Sequence, residues 1–333
     1  MKKTRIGIFG IGHNHASPAI DALRRDERVE IVGLCEPNEE MLARKLRECH
    51  ATFSDIKIMT EAELFAAGLD AAMVEPSVPE LVPTAKRCAE RGLHVHMDKP
   101  AGADLKEYKD FLDLSREKRL IFQTGYMYRH NAGIRYAFEK AKSGALGKIY
   151  NVTAEMCTKH PAWQKEQFIS YGVKSPIMYI FGCHLIDLVL GLKGEPQSLS
   201  AFGTVSGDGG IDFTDTSLAV MTYPDGIATV KVSSVEVNGW GMRELTICGE
   251  KGTISVSPIE KKLEVREMYD GECDPWSDGF RTVEIAEQER YDPMMREFVG
   301  EIRGEIPDRT DYDHEYLLQK YTLAACGYDV AEK

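Results

Sequence analysis

Residues Arg5–Ala16 read R-I-G-I-F-G-I-G-H-N-H-A, and this stretch decides the fold. Arg5–Phe9 is a short Ile-rich apolar run, the pattern of a parallel strand buried on both faces. Gly10 and Gly12 follow directly, and a helical pattern begins near Ser17-Pro18, where proline suits the first turn. A strand, a glycine turn and a helix N-terminus in this order make a site for an anion. The first N–H groups of the helix have no intrahelical acceptor, and glycine lets a pyrophosphate come close to the main chain. His15 stands where a third glycine would, so the pattern is G-x-G-x-x-H and not G-x-G-x-x-G. Gly10, Gly12, His13 and Asn14 are the candidate phosphate-binding positions, with His15 at their border.

The chain of 333 residues is 43% hydrophobic and 28% charged, which fits a soluble protein of about two domains. A formal charge of −12 argues against nucleic acid and anionic membranes as partners, because both reward basic surfaces. No apolar run approaches the roughly 20 residues that span a bilayer. The opening M-K-K-T-R runs straight into the first strand and leaves no room for a signal peptide. The 8 cysteines are scattered without a C-x-x-C pair, so reduced thiols and a cytoplasmic location are expected. Histidines beside a phosphate turn serve as donors or fillers more often than as ligands, so no metal site is expected at His13 or His15.

Beyond the first helix, Val29–Cys35 reads as a second strand ending in Glu36-Pro37-Asn38. An acid about 20 residues past a glycine turn can accept from the adenosine ribose hydroxyls. The same carboxylate repels a 2′-phosphate, so NAD is favoured over NADP. Glu39–Cys49 reads as helix, Thr52–Phe53 as a short edge strand and Glu61–Ala67 as helix. Ala71–Val74 is a further strand ending at Glu75-Pro76-Ser77, Glu80–Arg91 a helix, and Leu93–Met97 another strand. Strands alternating with helices through short links imply a doubly wound parallel sheet, with its ligand crevice at the carboxyl ends of the strands. Pro76 lies at one such end. His96-Met97-Asp98-Lys99-Pro100 forms another, and Lys99 there can donate to a substrate oxygen and stabilise alkoxide charge.

These residues carry a resemblance. The chain resembles the Gfo/Idh/MocA family, the glucose–fructose oxidoreductase and inositol dehydrogenase group. Asp98-Lys99-Pro100 stands where that family has Glu-Lys-Pro, with the glycine turn and Glu36 in matching order. The likeness continues through Gly125-Tyr126-Met127-Tyr128-Arg129, Gly144–Ile149 and Gly182–Asp187. It implies a Rossmann domain, placed at residues 1–124, that holds NAD(P) with Asp98 and Lys99 beside the cofactor. It also implies an α+β domain at 125–333 whose open, mostly antiparallel sheet binds substrate and pairs subunits into a homodimer or homotetramer.

The residues of the second half support that outline independently. β-branched alternation dominates in Ile149–Met156, Gln197–Val205, Ser217–Tyr223, Ile227–Val237, Met242–Cys248 and Thr253–Val256. Ala228, Val230 and Val232 share one face while Thr229, Lys231 and Ser233 share the other, as in a sheet buried on one side. Pro224-Asp225-Gly226 and Gly249-Glu250-Lys251-Gly252 read as hairpin turns. One helix, about Ser175–Leu192, interrupts the strands and sets His184 and Asp187 on one face. The pair reads either as a satisfied core pair or as an acid–base histidine whose tautomer a neighbour sets. His184 matches the family's catalytic histidine. Ile180 stands where many of these dehydrogenases carry an Asp one turn earlier, which leaves Asp187 as the acid within this helix. Tyr126, Arg129, His160 and Trp163 are further candidates for framing a substrate, an indole ring being well suited to a sugar face.

The expected activity is hydride transfer between NAD(P) and a sugar, cyclitol or related polyol, with Lys99 polarising the reacting oxygen and His184 moving its proton. Two rivals stay open. One is glycosidic cleavage or elimination through transient oxidation by a retained NAD. The other is a non-catalytic nucleotide-binding protein, motivated by Ile180 and the altered glycine turn.

Overall fold

A computed structural model describes residues 2–260, 262–272 and 279–330. The chain divides into two compact units, one formed by residues 1–127 with Glu289–Tyr316 and the other by Tyr128–Gln288 with residues 317–333. The chain passes from the first unit to the second at Met127/Tyr128, and the segment 289–316 returns to the first.

The first unit is built on five parallel strands: β1 (Thr4–Phe9), β2 (Val29–Cys35), β3 (Ala71–Val74), β4 (His94–Met97) and β5 (Phe122–Thr124). Their order is β2-β1-β3-β4-β5, every neighbouring pair parallel. Ile6, Ile8 and all of β3 are buried, as a sheet covered on both faces requires. Helices at Ala16–Arg24, Glu39–Glu48, Leu81–Glu90 and Leu105–Glu117 connect the strands. The returning helix Asp292–Ile302 buries Met294, Met295, Phe298 and Val299. Arg25 grips its Asp292 carboxylate, and Gln123 Nε2 donates to the Met294 carbonyl at 3.1 Å.

Residues 50–53 correct an expectation. Thr52–Phe53 is not an edge strand but lies in a short helix, His50–Phe53. Phe53 is wholly buried, and Thr52 Oγ1 donates to Asp21 Oδ2 at 3.0 Å, contacts that a helical turn delivers to the same side. The edge pairing occurs a few residues later, where Ile58 bridges Leu34 and the Leu34 N–H donates to the Lys57 carbonyl at 2.9 Å.

The second unit carries an eight-stranded sheet: β6 (Ile149–Cys157), β7 (Ser198–Thr204), β8 (Thr216–Tyr223), β9 (Gly226–Ser233), β10 (Glu244–Gly249), β11 (Gly252–Val256), β12 (Val265–Tyr269) and β13 (Arg281–Val283). The order is β13-β12-β11-β10-β6-β9-β8-β7, with β6 and β9 parallel and the other neighbours antiparallel. Ala228, Val230 and Val232 are wholly buried, whereas Thr229 and Lys231 on the opposite face are partly exposed. Both expected hairpins form, pairing Tyr223 with Gly226 and Gly249 with Gly252. β9 stops at Ser233 instead of reaching Val237; the Ser234 N–H makes the last in-register bond to the Asp215 carbonyl at 2.8 Å, and Val237 is largely exposed. On the covered side, Met178–Gly182 form a π-helical turn that runs into the helix Cys183–Lys193.

The short helix Glu61–Ala66, behind β2, begins with a capping box. Thr60 Oγ1 accepts the Glu63 N–H at 3.2 Å, and Glu63 Oε2 accepts the Thr60 N–H at 2.8 Å. Thr60→Ala is expected to lower unfolding free energy by about 1 kcal/mol, the usual worth of such a cap. Urea unfolding followed by circular dichroism measures it, and an unchanged midpoint would mean that water replaces the cap.

Candidate active site

In the first unit the glycine turn is pressed against the end of β3. A Cβ on Gly10 would lie 2.5 Å from Pro76 Cα, and one on Gly12 would lie 2.8 Å from the Ser77 nitrogen. Gly10 also has φ +80°, a conformation that L side chains avoid. The turn opens onto a cavity of about 210 Å³ lined by Gly10, Gly12, Glu36, Asn38, Pro76 and Arg87, among others. Glu36 is fixed at its mouth: Oε2 accepts the Ile11 N–H at 2.9 Å and Oε1 the Asn38 N–H at 3.0 Å. Arg87 pairs with Glu61 at 2.9 Å, so the two largely cancel as charges in the cavity wall.

Beside this cavity the turn folds inward. The His13 N–H donates to the Glu75 carbonyl at 2.9 Å, so it faces the protein and not an incoming phosphate. The His13 ring is buried, with Nδ1 3.0 Å from Asp98 Oδ2, and His15 Nδ1 lies 3.1 Å from the same oxygen. Asn14 remains exposed at the tip of the turn. The group His13, His15 and Asp98 also has metal-ligand spacing, with ligand atoms all within 4.8 Å of one another. Behind it Glu75 is wholly buried, 3.8 Å from His13 Nδ1 and 3.6 Å from His96 Nε2.

Burial drives the electrostatics here. It lowers His15 to about 3, the charge and hydrogen bond of Asp98 recovering only part of the loss, and nearby Lys99 opposes protonation further. Burial alone would raise Asp98, yet His13 and His15 together hold it well below the usual carboxylate range. Glu75 is pushed up by burial and by the neighbouring Asp98 charge. Lys99 follows in sequence, only 2% exposed, its N–H donating to Asp98 Oδ1 at 2.6 Å. Tyr126 is buried in the same unit.

In the second unit His184 is buried on the helix Cys183–Lys193, its ring 5.3 Å from that of Tyr128. Asp187 takes a fork from Arg129, whose Nε lies 2.9 Å from Oδ2 and Nη2 2.8 Å from Oδ1. Ile180 sits within the π-helical turn and is buried. Tyr179, in the same turn, is also buried, and desolvation raises its hydroxyl well above the ordinary value. His160 stacks on Phe181 at 4.9 Å and edge-on to Phe168 at 5.2 Å. Trp163 is 64% exposed and joins none of these contacts.

Sequence reasoning passed over Arg243. It is buried, donates to Thr158 Oγ1 at 2.6 Å, lies 3.3 Å from Glu260, and stacks 3.6 Å over the Trp240 ring. An arginine next to an irregular stretch carries no periodic signal. Glu75 was signposted only as the first residue after a wholly buried strand.

Two family descriptions match this chain in succession. One, an oxidoreductase family with an NAD-binding Rossmann fold, matches residues 4–126, and the other, the GFO/IDH/MocA C-terminal domain, matches residues 134–255. Together they cover well over half of the chain. The chain belongs to the Gfo/Idh/MocA oxidoreductase family. Among relatives of the family, an uncharacterized oxidoreductase of Schizosaccharomyces pombe, C115.03, is 25% identical over 191 residues, 55% of this chain and 50% of that protein. The chain thus spans about half the length of that relative. A D-xylose 1-dehydrogenase (NADP(+)) of Haloferax volcanii is 26% identical over 229 residues, 69% of this chain and 67% of that protein. The solved structure of the UDP-N-acetylglucosamine 3-dehydrogenase GnnA from Acidithiobacillus ferrooxidans superimposes with a TM-score of 0.79. It covers 98% of this chain and 97% of that one at 18% identity, a likeness of fold. Among the described residues no helix is long and apolar enough to cross a membrane.

His160 links this Gfo/Idh/MocA chain's second unit to pH. Burial, with the charges of Arg243 and Lys165, lowers it from 6.5 to about 4. The unfolded chain therefore takes up a proton between these values that the folded chain refuses. Stability from this group is complete above pH 6.5 and is lost as pH falls toward 4. His160→Phe is expected to reduce the stability lost between about pH 7 and 5 by about 1–2 kcal/mol. Urea unfolding at both pH values checks this, and parallel profiles for the two proteins would show that His160 titrates normally.

Proposed function

We propose that this chain is an NAD-dependent dehydrogenase or reductase acting on a hydroxyl-bearing carbon of a sugar, cyclitol or related polyol. The observation that carries the reading is Lys99, an ammonium-bearing side chain buried at the carboxyl end of β4 beside the glycine turn. A buried lysine is costly unless a nearby charge or ligand uses it. The cradle fits a dinucleotide: backbone approaches at Gly10 and Gly12 that any Cβ would fill, and a fixed carboxylate at the adenosine end of the cavity. Gly10, Gly12 and Asn14 would line the pyrophosphate, Glu36 would accept from the ribose hydroxyls, and Pro76 and Asp98 would border the cofactor.

The nicotinamide, when bound, supplies the hydride acceptor or donor. The chain's own residues handle the rest. In oxidation, Lys99 donates to the substrate oxygen and stabilises the negative charge that develops there. His184 accepts the hydroxyl proton and returns it in reduction. Asp187, paired with Arg129, keeps the helix that carries His184 in place. His160 and Tyr126 bound the substrate, with Trp163 available from its exposed position. The relative named for D-xylose supports the sugar class.

Lys99→Ala and His184→Ala are each expected to lower turnover by about 10²-fold or more, with NAD affinity little changed. Steady-state kinetics across sugars and cyclitols, read by reduced-nicotinamide absorbance, tests this. Near-full turnover in His184→Ala would assign the histidine to packing. Glycoside cleavage without net NAD reduction would replace the dehydrogenase reading with transient oxidation, and binding without turnover would leave a nucleotide-binding protein.

Cofactor choice follows from Glu36. A carboxylate within a few ångströms of a 2′-phosphate costs about 1–4 kcal/mol between surface and partly buried limits. NAD is therefore expected to bind about tenfold or more tightly than NADP in calorimetric titration. Equal or tighter NADP binding would mean that Arg87 leaves Glu61 for the phosphate.

A further inference from the structure

The hydride-transfer reading makes no use of the side chains of His13, His15 and Glu75. Their arrangement is unusual for a phosphate turn. His13 Nδ1 accepts the His15 N–H at 3.2 Å, which requires a lone pair on that nitrogen. The same nitrogen lies 3.0 Å from Asp98 Oδ2, an acceptor, and His15 Nδ1 approaches that oxygen at 3.1 Å. Two acceptor atoms, His13 Nδ1 and Asp98 Oδ2, thus meet where a positive centre is needed, and His15 Nδ1 adds a third atom that can ligate an ion. Glu75 adds a second carboxyl group 3.8 Å from His13 Nδ1, in hydrogen-bond reach of Asp98. His96 Nε2, 3.6 Å beyond Glu75, has no hydrogen-bond partner among the described residues.

We propose that His13, His15 and Asp98 form a binding site for a divalent first-row metal ion, with Glu75 as the buried carboxylate that completes its charge balance. Two imidazole nitrogens with carboxylate oxygens are the donor set of zinc and its neighbours and suit magnesium or calcium poorly. Ligand atoms around tetrahedral zinc stand about 3.4 Å apart, given bonds of about 2.1 Å. The two measured separations from Asp98 are slightly shorter, so small side-chain rotations accommodate an ion. His13 and Asp98 are buried, as in sites where the metal holds structure together. The ion would tie the glycine turn to the end of β4 and so fix the peptide that carries Lys99. His13, His15 and Asp98 are positioning residues in this role.

The inference does not depend on the dehydrogenase reading, and its test needs neither NAD nor substrate. Tag-free protein is stripped with a chelator, dialysed and titrated with Zn²⁺ by calorimetry, with elemental analysis after gel filtration. Stoichiometric zinc is expected, together with a higher melting temperature and, on Co²⁺ substitution, visible absorption from a low-symmetry nitrogen–oxygen site. His15→Ala and Asp98→Asn should each weaken zinc by more than about 100-fold, whereas Glu75→Gln should cost about 10–100-fold, the scale for an outer partner. The wild-type titration stands even where a variant folds poorly. Failure of the stripped wild-type chain to bind zinc stoichiometrically would overturn the proposal, leaving hydrogen bonds from the imidazoles to the Asp98 carboxylate as the link between the histidines. Zinc binding that persists in folded His15→Ala and Asp98→Asn would overturn it as well.

Discussion

The contact on which the first unit depends is the close approach of two backbones, the glycine turn after β1 and the Pro76-Ser77 segment after β3. Neither Gly10 nor Gly12 has room for a methyl group there, and Gly10 has a φ that other residues avoid. This approach places the helix Ala16–Arg24 behind an open cavity and lets Ile11 hold Glu36 at its mouth. It also turns His13 inward until its N–H reaches the Glu75 carbonyl. A side chain at either glycine would push the turn outward and separate the histidines from Asp98 together with the cavity from its floor.

Local pattern was enough for elements whose burial is continuous or strictly periodic. β2 was read with its observed bounds, Val29–Cys35, because its β-branched run stops sharply at Glu36-Pro37, even though as an edge strand it exposes Glu30. β8 to β11 were legible because alternation and tight turns agree. Thr52–Phe53 misled because two residues cannot show a period, and their helical turn is set by Asp21, distant in sequence. The helices Leu105–Glu117, Ala132–Lys142 and Ala162–Ser170 and the short strand β5 were passed over, lying between motifs that drew the reading elsewhere.

The candidate site divides along the same line. The glycine turn, Glu36, Lys99 and His184 were legible because each stands at a motif with fixed spacing from an element end. The cluster of His13, His15, Glu75, His96 and Asp98 was not, since three strand ends bring it together and no spacing encodes their separation. Asp187 was read from its helical offset to His184, but what fills its carboxylate fork is Arg129, from the segment that opens the second unit. Helical geometry names residues on a face and is silent about what that face meets.

The return of residues 289–316 to the first unit has a consequence for how this protein is made. The Asp292–Ile302 helix supplies Phe298, whose ring lies 5.8 Å from that of His96, and Asp292 receives Arg25. A ribosome that has released only the first 127 residues has produced the parallel sheet without one of its covering helices. That sheet waits, with an apolar flank uncovered, while residues 128–288, which carry all eight strands of the second unit, are synthesised. That segment is thus inserted within the first unit, which is completed only after the second sheet has been made, and the second unit in turn receives its closing segment, 317–333, after the first is complete.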